Sequence, residues 1–394
     1  MPPHSGSSAR LARQSPRLTL ITRRYPPLIG GAETMIRYLA LALAEEGAEV
    51  TVLTSRLGEA EACPAREEFL TRGGSLTIIR LPTSRIRFLG TWLYMRNLRR
   101  WLTSHPPDLA YVSMLKHDAF TAVKAGRRLG FPVVLRPEGA GATGDLAWQA
   151  WGRFGLKIAA SCRQADQVVA ISQAIHEELL TAGYEPARVV KIPNGVPVPE
   201  VPWTRRVGWT DAPVAVSVGR LSPEKGHANL LEAWRLVRHH KSRARLILVG
   251  DGPERPRLEE LIRMLDLSGS VRLAGTQAKV EPFLREADLF VLPSHEEGMS
   301  VALLEAMALG MPVVATAIPG NRKLMADFKN GRLCRVDDPE SLARTILEQW
   351  ADADRAIHMG RAARMLVQKN FSIHAVARQH LLLFDRLIAG PRTQ

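Results

Sequence analysis

The sequence predicts an α/β protein of two doubly wound domains whose parallel sheets face each other across a cleft. Three observations predict it. The chain has 394 residues, more than one hydrophobic core usually organises. Apolar runs of strand length alternate with helix-period segments from end to end, and the runs lack polar alternation, so helices must cover both sheet faces. The alternation breaks once, at residues 194–206, where Pro197, Pro199 and Pro202 forbid a continuing helix and favour an extended connector.

Each element follows from its residues. In the first half, strands are expected at Leu18–Thr22, Glu49–Thr54, Leu76–Leu81, Leu109–Ser113, Pro132–Arg136, Gln167–Ile171 and Val189–Ile192. In the second they are expected at Val214–Val218, Arg245–Val249, Val271–Ala274, Leu289–Pro293, Val313–Thr316 and Arg332–Val336. Helical periods include Glu33–Glu46, His117–Leu129, Gln173–Ala182, His227–His239, Pro256–Leu265, Val301–Leu309 and Pro339–Trp350. The resulting bounds are a disordered leader at 1–17, a first domain at 18–196, a connector at 197–206 and a second domain at 207–370. A C-terminal helix at 371–394 is expected to pack back on the first domain. The leader carries three Arg and no acid, and the apolar run after it is too short for a secretory signal, which leaves a transit peptide as the second reading of the segment.

Composition narrows the class. Hydrophobic residues at 46% with 23% charged exclude a mostly disordered or fibrous chain. Cys63, Cys162 and Cys334 are odd in number, far apart and never paired as Cys-x-x-Cys. They offer neither a disulfide framework nor a structural zinc site, and a reducing compartment is expected. The window from Met299 to Gly320 holds Glu305 as its sole charge, but Gly310 and Pro312 divide it into helix, turn and strand rather than a membrane span. Net charge is +14 and both halves are basic, a field that attracts phosphates, anionic lipid or nucleic acid without telling them apart.

In open α/β sheets ligands bind outside the C-terminal strand ends, where loops run into helices. Three such loops carry chemistry. The first is Ser294-His-Glu-Glu-Gly-Met-Ser-Val301, ahead of the apolar helix that holds Glu305. Gly298 permits a close backbone approach, the amides of Ser300 and Val301 suit an anionic phosphate, and a carboxylate among apolar neighbours needs ligand hydroxyls or a buried basic partner. The second is Gly219-Arg-Leu-Ser-Pro-Glu-Lys-Gly226, where Arg220 and Lys225 can reach one diphosphate. It lacks the order of a Walker loop. The third is Tyr25-Pro-Pro-Leu-Ile-Gly-Gly-Ala-Glu33, whose Gly30 and Gly31 precede a helix; alone, such a pair is more often a tight turn. Val249-Gly-Asp-Gly-Pro253 does not complete the dinucleotide fingerprint, which excludes a nicotinamide enzyme.

With these elements in this order, the sequence resembles glycosyltransferase family 4, retaining enzymes with the GT-B fold of two Rossmann-like domains. The resemblance runs from about Leu18 to about Glu348. It rests on Gly30-Gly31-Ala-Glu33, Ile171-Ser172 with Ile192-Pro-Asn-Gly-Val196, Gly219-Arg-Leu with Lys225-Gly226, Leu248-Val-Gly-Asp-Gly-Pro253, and the E-x7-E pair Glu297 and Glu305.

The resemblance implies catalytic roles for Arg220 and Lys225 at a donor diphosphate and for Glu297 near the transferred sugar. It places Glu305 on ribose hydroxyls, the amides of Gly298, Met299, Ser300 and Val301 around sugar and phosphate, and Gly30 and Gly31 near the diphosphate. One departure stands out: Glu138 occupies the position where many members carry His. Glu138 and Asp145, in the run Glu138-Gly-Ala-Gly-Ala-Thr-Gly-Asp145, are then acceptor-side candidates, serving either in proton handling or in shaping the pocket. No DxD ends a strand, since Asp352-Ala-Asp354 falls in a helical segment, so no cofactor and a metal-independent reaction are expected.

The implied function is transfer of a hexosyl group from a UDP- or GDP-sugar to a lipid-linked or glycan acceptor in cell-surface polysaccharide or glycolipid synthesis. Two rivals remain: a nucleotide-sugar epimerase on the same fold, and a non-catalytic sugar-nucleotide or membrane-binding protein. Arg85 to Trp101 mixes five arginines with Phe88, Trp92, Tyr94 and Trp101. Such a stretch suits an anionic membrane surface, or a helix that packs its aromatics inward. No nucleic-acid module accompanies the charge, so nucleic acid is not an expected partner. A cytoplasmic place, with peripheral contact to the inner face of the membrane, is the expected localisation.

Overall fold

The computed structural model describes residues 15–141, 144–205, 209 and 211–390. The leader therefore lies almost wholly outside the described residues. Its last residue is a correction: Arg17 opens the first strand, where its guanidinium lies 2.8 Å from Asp108.

The first sheet has eight strands: β1 (Arg17–Ile21), β2 (Glu49–Ser55), β3 (Arg66–Leu70), β4 (Ser75–Leu81), β5 (Leu109–Ser113), β6 (Val133–Arg136), β7 (Gln167–Ala170) and β8 (Val189–Lys191). Their spatial order is β3-β4-β2-β1-β5-β6-β7-β8. All neighbours run parallel except β3, which pairs antiparallel with β4 at the edge. That strand corrects the expectation of a purely parallel sheet. Arg66, Glu67 and Glu68 mask it in sequence, and such charges are how an edge strand avoids further pairing. The covering helices are α1 (Gly31–Glu45), α2 (Arg87–Ser104), α3 (His117–Leu129), α4 (Asp145–Trp151), α5 (Gly155–Cys162) and α6 (Gln173–Thr181).

The second sheet is wholly parallel, with β9 (Val214–Val218), β10 (Arg245–Val249), β11 (Val271–Gly275), β12 (Leu289–Leu292), β13 (Val313–Thr316) and β14 (Arg332–Cys334) in the order β11-β10-β9-β12-β13-β14. Its helices are α7 (His227–His240), α8 (Arg255–Met264), α9 (Glu281–Glu286), α10 (Val301–Leu309), α11 (Pro319–Leu324), α12 (Pro339–Ala351) and α13 (Ala353–Asn370), and the chain ends in α14 (Ile373–Ala389). Phe290, Val291, Leu303, Leu304, Met307 and Val314 are fully buried at its centre. Met299–Gly320 is helix, left-handed Gly310 and strand, and among the described residues no helix is long and apolar enough to cross a membrane.

Strand order reverses direction between β1 and β5 and between β9 and β12. Those two switch points open the crevices where a doubly wound sheet takes ligands. The loops beyond them are the three that the sequence singled out.

The chain crosses between the sheets twice at one place. Val196 accepts the Ile373 amide and donates its own amide to Phe371 O, both at 2.9 Å. From there α14 returns to the first domain, and its Ile373, Val376, Ala377, Leu383 and Phe384 join Leu39 and Leu43 of α1 in one core. Buried His380 bonds Tyr111 at 3.1 Å; burial lowers its imidazole to about 4, so it packs as a neutral ring.

Candidate active site

Loop 219–226 follows β9 and loop 293–300 follows β12, and the fold clamps them together. His295 N–H donates to Glu224 O at 2.9 Å. Gly226 sits at φ +66, and a Cβ there would fall 2.1 Å from Pro293 O, so only glycine permits the contact. On the other side Gly250 sits at φ +138 with a hypothetical Cβ 1.9 Å from Gly219 O. The Gly-Asp-Gly-Pro run is thus a backbone brace behind Arg220, a role its glycines did not reveal in sequence.

Within this clamp Lys225 Nζ lies 2.8 Å from Glu297 Oε1, and Ser294 Oγ donates to the same oxygen at 2.9 Å. Glu297 is nearly buried, with 10% of its side chain exposed, and Lys225 retains 23%. A cation and a carboxylate therefore share the edge of one crevice. Arg220 is exposed and has no ion-pair partner among the described residues. Ser300 caps α10 by accepting Leu303 N–H at 3.3 Å, which leaves the first-turn amides of Val301 and Ala302 without intrahelical partners.

Glu305 follows one turn later. Its partner is Tyr38 of α1, whose hydroxyl donates to Oε1 at 2.7 Å across the domain boundary, and not the buried base that the alternative reading required. Burial raises the Glu305 carboxyl to about 7, while the Tyr38 hydrogen bond pulls it down and Glu281 pushes it further up.

The first domain brings its own loops to the same opening. Gly30 caps α1, Gly31 opens it, and a Cβ at Gly31 would meet nothing within 4 Å, so packing does not require glycine there. Nearby Glu33 is buried and pairs with Arg24 at 2.6 Å. Beyond β6, Glu138 accepts hydrogen bonds from Ser113 and from the buried Arg136; burial raises its carboxyl, against the pull of Arg136. Both Asp145 oxygens accept backbone amides, from Glu138 at 2.7 Å and from Leu115 at 3.3 Å, so Asp145 braces the loop that presents Glu138. A Cβ on Gly298 would stand 3.7 Å from Glu138 O, which puts this loop face to face with the second domain.

Sequence reasoning missed two connectors. Asn194 accepts from Arg136 at 2.6 Å and donates to Met299 O at 3.1 Å, tying the Glu138 network to the loop before α10. The Ile-Pro-Asn-Gly-Val run marked this residue without showing its partner. Tyr38 had no signal at all, being one polar tip in an amphipathic helix. Asp352 caps α13 by accepting Arg355 N–H at 3.0 Å, a structural use for half of the Asp-Ala-Asp run. Among the described residues no group of three His, Cys, Asp or Glu stands close enough to hold a metal ion.

Comparison with known proteins fits this arrangement. Residues 29–199 match the family model "Glycosyltransferase Family 4", and residues 203–365 match "Glycosyl transferases group 1". The chain is 36% identical over 173 residues to the lipopolysaccharide core biosynthesis glycosyltransferase LpsE of Rhizobium meliloti, covering 44% of this chain and 50% of that one. It is 32% identical over 180 residues to the amylovoran biosynthesis glycosyltransferase AmsK of Erwinia amylovora, 44% of each. The matched stretch thus spans about half the length of these curated relatives. Among solved structures, Anabaena HepE in complex with UDP-glucose superposes with a TM-score of 0.76 at 20% identity, over 93% of this chain and 99% of that one.

The fold is GT-B, two Rossmann-like domains about a cleft. The chain is related to the family 4 and group 1 glycosyltransferases, whose models match its first and second domain respectively, and relatives of it carry names from lipopolysaccharide core and amylovoran biosynthesis.

Proposed function

We propose that the chain is a retaining glycosyltransferase that moves a hexosyl group from a UDP- or GDP-sugar to a lipid-linked or glycan acceptor in cell-surface polysaccharide or glycolipid synthesis. The observation that carries this reading is the crevice at the β9/β12 switch point, where Lys225, Glu297 and Ser294 meet at the loop before the first turn of α10, with exposed Arg220 on the same loop as Lys225. When the bond from the sugar C1 to phosphate oxygen breaks, negative charge grows on the leaving diphosphate. Arg220, Lys225 and the amides of Val301 and Ala302 are preorganised to stabilise it. The incoming acceptor hydroxyl forms the new bond at C1, and its proton leaves with the diphosphate.

Glu297 takes the transferred sugar and Glu305 the ribose hydroxyls in this reading, with Gly30 and Gly31 closing on the diphosphate from the first domain. Room for a Cβ at Gly31 supports that role, because glycine there is not explained by internal packing. Glu138 and its Asp145 brace belong to the acceptor side. Three free cysteines support work on the cytoplasmic side.

A panel of UDP- and GDP-hexoses, each incubated with and without glycan and lipid-linked acceptors, tests the proposal. Transfer that needs acceptor supports it. Conversion of donor without acceptor would make the protein an epimerase, and donor binding without turnover a sugar-nucleotide binder.

A further inference from the structure

We propose that the N-terminal part of α2 and the turn between α4 and α5 form one face that docks on an anionic lipid bilayer. The sequence singled out only the first of these segments, and the structure divides it. Tyr94, Leu98 and Leu102 of α2 are fully buried against the sheet, whereas Ile86, Phe88, Leu89 and Trp92 are exposed, Phe88 at 62% and Trp92 at 53%. Beside them the α4–α5 turn exposes Trp151, Phe154 and Leu156, the last at 78%.

The two segments are one surface. The Arg153 guanidinium stands 4.7 Å from the Phe88 ring centroid and 5.1 Å from that of Phe154, clasped between an aromatic of each segment. Phe154 adopts φ +62, a backbone conformation that is rare for a bulky side chain, yet its ring is turned to solvent. Burial within the chain therefore does not explain these side chains. Contiguous exposed aromatics of this kind mark an interaction site.

Charge selects the partner. No Asp or Glu occurs from Phe69 to Pro107 or from Leu146 to Ala165. Arg96, Arg99, Arg100, Arg153 and Lys157 are exposed on these segments, and Arg96 stacks 5.3 Å from the Trp92 centroid. Among the described side chains of the rim, Arg85 alone is balanced, by Glu61. Tryptophan and phenylalanine ringed by cations match the chemistry of a headgroup layer over acyl chains. The face also borders the cleft, since Arg23, just beyond β1, donates to Thr91 of α2 at 2.9 Å. A lipid-borne acceptor would meet the active-site opening while still in the bilayer. That last step rests on the proposed function; the docking itself does not.

Sedimentation with vesicles of phosphatidylglycerol and phosphatidylcholine, against pure phosphatidylcholine, tests docking without any turnover. The whole chain should bind the anionic vesicles and lose them as salt rises. Arg96→Gln, Arg99→Gln and Arg100→Gln together should weaken binding by on the order of a hundredfold. Phe154→Ser with Leu156→Ser, outside α2, should weaken it by about tenfold or more. Nucleotide affinity should stay as in the wild type in both. If the double variant does not fold, quenching of wild-type tryptophan fluorescence by brominated lipid reads the same contact without substitution. No sedimentation of wild type at low salt, no quenching by brominated lipid, binding to duplex DNA as tight as to vesicles, or wild-type affinity in a folded double variant would each overturn the proposal.

Discussion

Tyr38 donates its hydroxyl proton to Glu305 Oε1 over 2.7 Å, joining the first helix of one domain to the carboxylate proposed to meet ribose hydroxyls in the other. The bond favours the ionised carboxylate, while burial works against it and brings the carboxyl to about 7. Nucleoside diphosphate affinity should therefore rise with pH as Glu305 ionises. Tyr38→Phe should move that midpoint upward, and Glu305→Gln should remove the Glu305-dependent part of the profile. Calorimetric titrations across neutral pH check this, and equal affinity of wild type and folded Glu305→Gln would contradict the ribose assignment.

The same shift has a consequence for stability. From an ordinary carboxylate pKa near ~4.3 up to about 7, folded Glu305 holds a proton that the unfolded chain has lost. The unfolded state binds fewer protons there, so Glu305 makes stability fall as pH rises through that window. Glu305→Gln should flatten this part of the profile, measured as melting temperature against pH.

Arg220 and Lys225 stand on one loop, with Lys225 already 2.8 Å from Glu297. Replacing either by Ala should lower turnover by on the order of a hundredfold, the usual cost of losing a preorganised charge partner. Glu297→Gln should depress turnover more than donor binding. Near-wild-type kinetics in both Arg220→Ala and Lys225→Ala would remove them from the mechanism. Activity should persist after chelation, and strict dependence on added Mg²⁺ or Mn²⁺ would contradict that expectation.

Gly226→Ala meets two obstacles at once, φ +66 and Pro293 O at 2.1 Å from the new Cβ. The loop carrying Lys225 must then move away from the loop carrying Glu297. Turnover should fall at least about tenfold with a melting temperature lowered by a few degrees. Wild-type activity in this variant would show that the clamp between the loops is dispensable.

Most of the fold was legible because parallel strands buried on both faces read as uninterrupted apolar runs, as Leu289–Leu292 and Val313–Thr316 do. β3 was not legible, because Arg66, Glu67 and Glu68 erase that signal on a solvent-exposed edge. At the site, the positions of Arg220, Lys225 and Glu297 on loops beyond strand ends and of Glu305 on α10 were legible, because each follows a strand that reads as an apolar run. Tyr38 and Asn194 were not, because each acts through a partner far along the chain, Glu305 and Met299 respectively. The basic aromatic stretch admitted both an inward and an outward reading, and the helix uses both: Tyr94 is buried and Trp92 exposed.

In the proposed function the cleft transfers a sugar from a nucleotide with its anomeric configuration kept. Proton NMR of the product formed from an α-linked nucleotide hexose and a glycan or lipid-linked acceptor tests it most directly. Retention requires a new α-glycosidic bond and one nucleoside diphosphate released per bond formed. A β-linked product, or an altered sugar still attached to its nucleotide, would contradict it.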